Sequence, residues 1–245
     1  VDGTVLEAPV VASSLDAHVT FERLLATNEL PADFLTSVRR IDYSSSTAKL
    51  NLALGEAPRF RGATEGDSGA HLRATIVIGS TLDDYERAFD DAKYGWPSTD
   101  PTMEVTVPSS VDRSIVPEGK HLLSILVQHA PYRLADGKRW EDIKEDFADR
   151  CIAALGRYFP NLPQAVEHRQ LLTPVDLERT YGLTGGNLYQ GAMSPGQRYA
   201  LRPALGWADH RTPVSGLYLC GAATHPGGGV WGACGRNAAN EILSW

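Results

Sequence analysis

Seven of the chain's 23 glycines lie between Gly216 and Gly235, and His225 stands among them. Gly221 and Pro226 precede the consecutive Gly227, Gly228 and Gly229, while Gly232 and Gly235 follow. Each glycine loses extra backbone entropy on folding, so such a density needs a local reason. One reason is chemical. A backbone without Cβ lets an anionic or carbonyl-bearing group approach its N–H groups, and the N-terminus of a following helix adds free donors and partial positive charge. The other reason is steric, because a glycine-rich turn lets a strand and a helix pack closely. The spacing leaves both open.

The flanks decide how far the chemical reading extends. Leu217-Tyr218-Leu219-Cys220 reads as a strand and Ala233 to Leu243 as a helix. Gly227, Gly229 and Gly232 therefore satisfy GxGxxG in a strand–loop–helix context, a dinucleotide-binding pattern. A full site of that kind also needs a second strand and an acidic residue about 20 positions on. Only 13 residues follow Gly232 in this sequence, and no other GxGxxG or GxxxxGK[ST] occurs in it. The expectation is a loop that lines part of a ligand whose remainder other elements must hold. No metal site is expected. Cys151, Cys220 and Cys234 show no CxxC spacing, and Cys220 and Cys234 read as small packed residues rather than redox thiols. No GxSxG elbow supports a hydrolase built on His225.

The elements that must carry this loop follow from periodicity. Pro9-Val10-Val11-Ala12 reads as a short strand, followed by a helix through Leu15, Val19, Phe21 and Leu24 that Ser13 or Ser14 would cap. Pro31 opens a second helix through Ala32 to Leu35. Thr47 to Leu54 alternates as a half-buried strand. Leu72-Ala74-Ile76-Ile78, Met103-Val105-Val107 and Leu122 to Val127 read as further strands. Leu82 to Lys93 reads as a helix with a capping box of Thr81 and Asp84. Trp140, Ile143, Phe147, Cys151, Leu155 and Tyr158 recur at helical spacing, with a charged opposite face. Ala165 to Leu172 reads as a strand. Thr173-Pro174-Val175-Asp176 then starts a helix that Gly182 ends. The fold class is α/β with α+β character: a mixed or antiparallel sheet with helices on one face, plus a C-terminal strand–loop–helix.

Composition sets the outer bounds. The chain has 245 residues, 42% of them hydrophobic and 22% charged, which is ordinary globular usage. A net charge of −7 offers no phosphate-neutralising surplus, so no nucleic-acid partner is expected. No apolar run reaches the roughly 18 residues needed to span a bilayer. The cysteine usage fits a reducing, cytoplasmic setting, with peripheral membrane contact left open. The opening Val1-Asp2-Gly3 lacks Met, which leads to the expectation of a cut or processed chain.

The run from Gly216 to Ala239, Gly216-Leu217-Tyr218-Leu219-Cys220-Gly221-Ala222-Ala223-Thr224-His225-Pro226-Gly227-Gly228-Gly229-Val230-Trp231-Gly232-Ala233-Cys234-Gly235-Arg236-Asn237-Ala238-Ala239, resembles the C-terminal flavin motif of phytoene desaturase-like FAD-dependent oxidoreductases. The likeness is closest to their branch related to pyridine nucleotide-disulfide oxidoreductase domain-containing protein 2. Val10 to Asp16, Pro117 to His121, Leu172 to Glu178, the Gly185-Gly186-Asn187 turn, and Gln197 with Arg202-Pro203 resemble the same group.

The resemblance implies a flavoprotein of the amine oxidoreductase superfamily that transfers hydride between a substrate carbon and flavin N5. It implies that residues 1–30 and 205–245 form part of an FAD-binding domain, and that 31–204 form a substrate-binding domain for an apolar small molecule. It also implies that the glycine loop holding the ADP part of FAD belongs to an N-terminal segment that this sequence lacks. The isolated chain is therefore expected to be inactive. Gly221, Ala222, Thr224, His225, Pro226, Gly227, Gly228, Gly229, Val230 and Gly232 would lie against the cofactor. His225 is the one catalytic candidate, with a hydrogen-bonded structural role as its alternative. Arg236 would meet a phosphate or sit at the surface. The competing reading is a non-enzymatic binding module for an apolar ligand or protein partner.

Overall fold

In the computed structural model, residues 3–44, 47–63, 69–79 and 81–244 are described, so the first two residues of the Val1-Asp2-Gly3 opening lie outside them. In chain order the elements are β1 (Val11–Ser13), α1 (Ala32–Arg39), β2 (Ala48–Leu54), β3 (Ile76–Ile78), α2 (Leu82–Lys93), β4 (Met103–Thr106), β5 (His121–Val127), α3 (Trp140–Gly156), α4 (Leu162–Ala165), β6 (Val166–Leu172), α5 (Pro174–Tyr181), β7 (Leu217–Leu219) and α6 (Ala233–Leu243). Short 3-10 turns and one π-helical turn (Val19–Arg23) fill the connections. The chain forms two compact units, Val1–Ser44 with Glu178–Trp245, and Ser45–Leu177.

The unit Ser45–Leu177 is built on a five-stranded antiparallel sheet in the order β3-β4-β5-β2-β6. Period-two alternation sends Ala48, Leu50, Leu52 and Leu54 of β2 to one face, and each is fully buried. Leu123, Ile125 and Val127 of β5 and Met103 and Val105 of β4 join them there. Helix α3 brings Trp140, Phe147, Cys151 and Leu155 into the same core. The indole of Trp140 donates to Pro131 O at 2.9 Å, so its polar atom is satisfied inside this core. Apolar burial of this kind contributes roughly 1.5–3 kcal/mol per large side chain. The capping box of α2 is present, with Asp84 N–H donating to Thr81 Oγ1 and Thr81 N–H to Asp84 Oδ2.

The expected strand from Leu72 to Ile78 is shorter than its alternation suggests. Only Ile76–Ile78 pair with β4, while Ala70–Arg73 form a 3-10 turn. The carbonyl of Leu72 accepts from the Ser110 hydroxyl at 2.8 Å, which takes it out of any ladder.

In the other unit, β1 and β7 form a parallel pair, Val11 opposite Leu217 and Ser13 opposite Leu219. Phe21 and Phe34 meet edge to face with centroids 4.8 Å apart, and Phe34 meets Trp207 at 5.2 Å. Leu35, Val38 and Leu219 close this small core. Ser13 and Ser14 do not cap the first helical turn. Ser13 ends β1, where its carbonyl accepts from Cys220 N–H, and Asp16 Oδ1 takes the cap by accepting from Val19 N–H at 2.9 Å.

The units divide after Ser44 and Leu177, whereas the sequence places divisions after residues 30 and 204. Two packing facts account for the difference. Helix α1 buries Phe34 against Phe21, and residues 189–202 surround the Arg202 side chain beside Ala222.

Candidate functional site

The loop between β7 and α6 is shaped first by close backbone contacts. A Cβ on Gly221 would collide with Ser14 O and come within 2.7 Å of Gln190 Oε1. One on Gly228 would collide with the Tyr189 ring, and one on Gly227 would lie 2.7 Å from Met193 Cε. These glycines serve packing, the steric reading of the sequence. Gly227, Gly229 and Gly232 also have φ of 103°, 137° and 68°, which side-chain-bearing residues rarely adopt.

Two glycines have no such neighbour. Nothing lies within 4 Å of a Cβ built on Gly232 or on Gly235. Gly235 sits in the first turn of α6 without a positive φ. Glycine in a helix costs roughly 1 kcal/mol relative to alanine, and nothing in the packing here requires it. Among the described residues no hydrogen bond uses the backbone N–H groups of Gly228 to Trp231 or of Ala233 to Gly235, while Gly227 and Gly232 close tight turns from Thr224 and Gly229. Gly232, the N-cap of α6, supplies no side-chain cap. The first turn of α6 therefore keeps unpaired donors at Ala233 to Gly235, and the surroundings are open at Gly232 and Gly235.

The loop is held from behind by side chains. Gln190 donates to Ser14 O at 2.8 Å and accepts from Ala223 N–H at 3.0 Å, tying the end of β1 to the loop. Arg202 is almost fully buried and donates from Nε and Nη2 to Ala222 O. Its remaining donors reach Tyr189 O, Gly191 O, Ala192 O and Gln197 O. Burial pushes its pKa down from the usual guanidinium value. Asn187 Oδ1 accepts from Tyr189 and Gly191 N–H, which fixes the segment that carries these carbonyls. Behind the start of the first helical turn, Asp16 accepts from Thr184 N–H and from the Tyr43 hydroxyl. Burial first, and the Asp16 charge second, raise the Tyr43 pKa well above the usual phenol value.

The other residues singled out from the sequence fall as follows. Thr224 is fully buried and its hydroxyl donates to Gly221 O. Val230 is fully exposed, and its neighbour Trp231 is 63% exposed. Ala222 gives its carbonyl to Arg202, and Pro226 follows a cis peptide bond from His225. His225 Nδ1 is shielded from solvent and has no hydrogen-bond partner among the described residues, while its ring lies 5.9 Å from that of Tyr199. The hydrogen-bonded structural role weighed for His225 is thus not seen at Nδ1. Cys234 is buried, with its thiol near Thr224 O and Gly227 O. Burial raises the Cys220 pKa, and the Cys151 thiol is pushed up to about 12 by its burial in the sheet unit. Arg236 lies on the exposed side of α6, where Arg211 rather than Arg236 pairs with Glu241. Two residues carry no expectation of this kind from the sequence: Gly235 as a helical glycine with open space beside it and Arg202 as the support of the loop. The run of glycines past the triplet is the signal for the first; only burial reveals the second.

No family model matches the chain. Its sequence relatives are oxidoreductases. Over 98% of its length it is 42% identical to pyridine nucleotide-disulfide oxidoreductase domain-containing protein 2 of Rattus norvegicus. It is 30% identical over 86% of its length to 4,4'-diapophytoene desaturase of Staphylococcus aureus, and 28% identical over 97% to a limonene dehydrogenase polypeptide of Castellaniella defragrans. The chain spans 42%, 42% and 44% of these three relatives. An oxidoreductase from Methanosarcina mazei shares the fold, with a TM-score of 0.59 and 18% identity over the whole of this chain and 44% of that one. The resemblance carried by Gly216 to Ala239 is therefore shown at the level of the whole sequence, and the chain is a homologue of desaturase- and dehydrogenase-type oxidoreductases.

Proposed function

We propose that the chain is the flavin-edge and substrate-carrying part of an FAD-dependent oxidoreductase that moves hydride between an apolar substrate and flavin. One observation carries the reading: the first turn of α6 keeps unpaired N–H groups at Ala233 to Gly235 with open space at Gly232 and Gly235, and the same loop carries a buried His225 Nδ1 that lacks a partner among the described residues. Donor-rich backbone of this kind suits a carbonyl- and phosphate-bearing cofactor. Desaturase and dehydrogenase relatives supply the reaction class.

When bound, FAD supplies the hydride acceptor chemistry. Residues of this chain hold and polarise it. Gly221, Ala222, His225, Pro226, Gly227, Gly228, Gly229, Val230 and Gly232 form the contact segment, with Thr224 buried beneath it. Gly221, Gly227 and Gly228 let the loop lie against its own support, and Ala222 is pinned by Arg202. The N-terminus of α6 would hold an electron-rich edge of the cofactor through its free N–H groups and partial positive charge. His225 Nδ1 donates to or accepts from the cofactor or substrate. The sheet unit carries the substrate, and the remaining ADP-binding part comes from polypeptide outside these 245 residues. On this reading the isolated chain does not turn over.

The test is to purify the natural gene product at its native length, established by mass spectrometry, and record its visible spectrum before and after denaturation. A yellow protein that releases FAD is expected. A colourless full-length product that does not take up added FAD overturns the reading and leaves the binding module.

A further inference from the structure

The face of the sheet turned away from the Leu50–Leu52 core carries its own pattern. Register places Lys49, Asn51 and Ala53 of β2 there, opposite Leu126, Ser124 and Leu122 of β5 and opposite Leu172, Gln170 and His168 of β6. Glu104 and Thr106 of β4 and Val77 of β3 extend the same face. None of these residues belongs to the buried core cluster. Lys49 is half-buried with a leucine directly across on each side. Its ammonium donates to Ser124 Oγ at 2.5 Å, and no ion pair involves it among the described residues. Glu104 is two strands away, about 10 Å at sheet spacing, and accepts from Gln128. His168, on β6, is the other titratable group of this face.

A cation set among leucines without a carboxylate loses hydration that one hydroxyl does not replace. Burial lowers its pKa, the sign of that uncompensated loss. An anion placed at Lys49 recovers the lost interaction, and the flanking Leu122, Leu126 and Leu172 suit an alkyl body. Asn51 and Gln170 already hold each other at 3.1 Å, whereas Lys49 has a hydroxyl as its partner and no counter-charge among the described residues.

We propose that this sheet face binds an amphiphile with an apolar body and a carboxylate head, and that Lys49 takes the head. The ligand counts as the substrate only on the oxidoreductase reading above, but its binding needs no flavin. Purely apolar hydrocarbons would leave Lys49 without a counter-charge, so on that reading the substrate is apolar along its body and carries an acid at one end.

Dodecanoate and dodecanol, both below their self-association limits, are titrated calorimetrically into the 245-residue chain and its Lys49→Met and Lys49→Arg variants. Dodecanoate should bind at least about tenfold tighter than dodecanol, as a charge-assisted contact predicts. Lys49→Met should reduce that preference to within about twofold and leave dodecanol affinity unchanged, whereas Lys49→Arg should retain it. Circular dichroism and a urea midpoint like that of the parent chain verify that each variant folds. Equal binding of the two ligands, a preference that survives Lys49→Met, or no binding of dodecanoate overturns the proposal. Because no flavin is present, these outcomes are independent of whether the full-length product is yellow.

Discussion

Arg202 Nε and Nη2 both donate to Ala222 O, at 2.9 and 2.7 Å, so one buried guanidinium grips the first turn of the glycine loop from behind. The same side chain reaches the carbonyls of Tyr189, Gly191, Ala192 and Gln197. Its charge is distributed over backbone dipoles, with no carboxylate partner among the described residues. The planar five-donor geometry of arginine makes this possible, and a lysine ammonium has too few donors and too short a span.

Arg202→Lys and Arg202→Met should therefore both destabilise the fold. Each buried carbonyl left without a donor costs about 1–3 kcal/mol, and several are involved, so a loss of at least about 3 kcal/mol is expected. Urea denaturation followed by circular dichroism measures it. A loss below about 1 kcal/mol for both variants would show that water replaces the guanidinium without penalty.

Gly221→Ala tests the contact on the other side of the same turn. The new methyl would meet Ser14 O and the Gln190 amide, both of which already tie β1 to the loop. Backbone cannot step aside as a flexible side chain can, so a destabilisation of roughly 1–3 kcal/mol is expected. Urea titration should show a lower midpoint with an unchanged slope. An unchanged midpoint would refute the assignment of Gly221 to packing.

These two residues also show where the sequence stops being informative. Thr81 with Asp84, the alternation of β2 and the helical spacing of α3 are local signals, and the structure realises all three. Local pattern also placed α6 at Ala233–Leu243, but it left the larger sheet mixed or antiparallel, and the register of the strands makes it antiparallel. The role of Arg202 depends on carbonyls up to 20 residues away in chain, a relation that no periodicity carries. For the same reason the cap of the first helical turn passed from Ser13 or Ser14 to Asp16, whose burial is set by contacts with Tyr43 and Thr184. The glycines split by mechanism in a way composition does not reveal: Gly221, Gly227 and Gly228 answer to packing, and Gly235 does not.

The sheet unit contains a pH-sensitive cap. Asp176 Oδ2 accepts from Thr173 N–H, Thr173 Oγ1 and Lys144 Nζ. Burial raises its pKa, but the Lys144 and Thr173 hydrogen bonds outweigh burial, and the net pKa is below the usual aspartate value. A depressed folded pKa means the stabilisation is present above the unfolded value of about 3.9 and is lost as pH falls through the folded value. Asp176→Asn should therefore cost about 1 kcal/mol at pH 7, in line with a lost cap, and progressively less below pH 4. Urea midpoints of both proteins across pH 2.5–7 check this. A cost that stays constant over that range would show that the charge contributes nothing.

Gly235→Ala separates stability from ligand binding. Its Cβ enters empty space, the backbone has no positive φ, and the residue lies in the first turn of α6. Replacing glycine by alanine in a helix raises stability by roughly 0.5–1 kcal/mol, so the variant should be the more stable protein, with a thermal midpoint higher by a few degrees. The same methyl stands beside the free N–H groups assigned to the cofactor. In the full-length product it should loosen FAD, seen as a weaker dissociation constant for FAD in fluorescence titration, even though the fold is firmer. Higher stability with unchanged FAD affinity would remove Gly235 from the binding surface. Lower stability would mean that another part of the polypeptide already fills the space at this position.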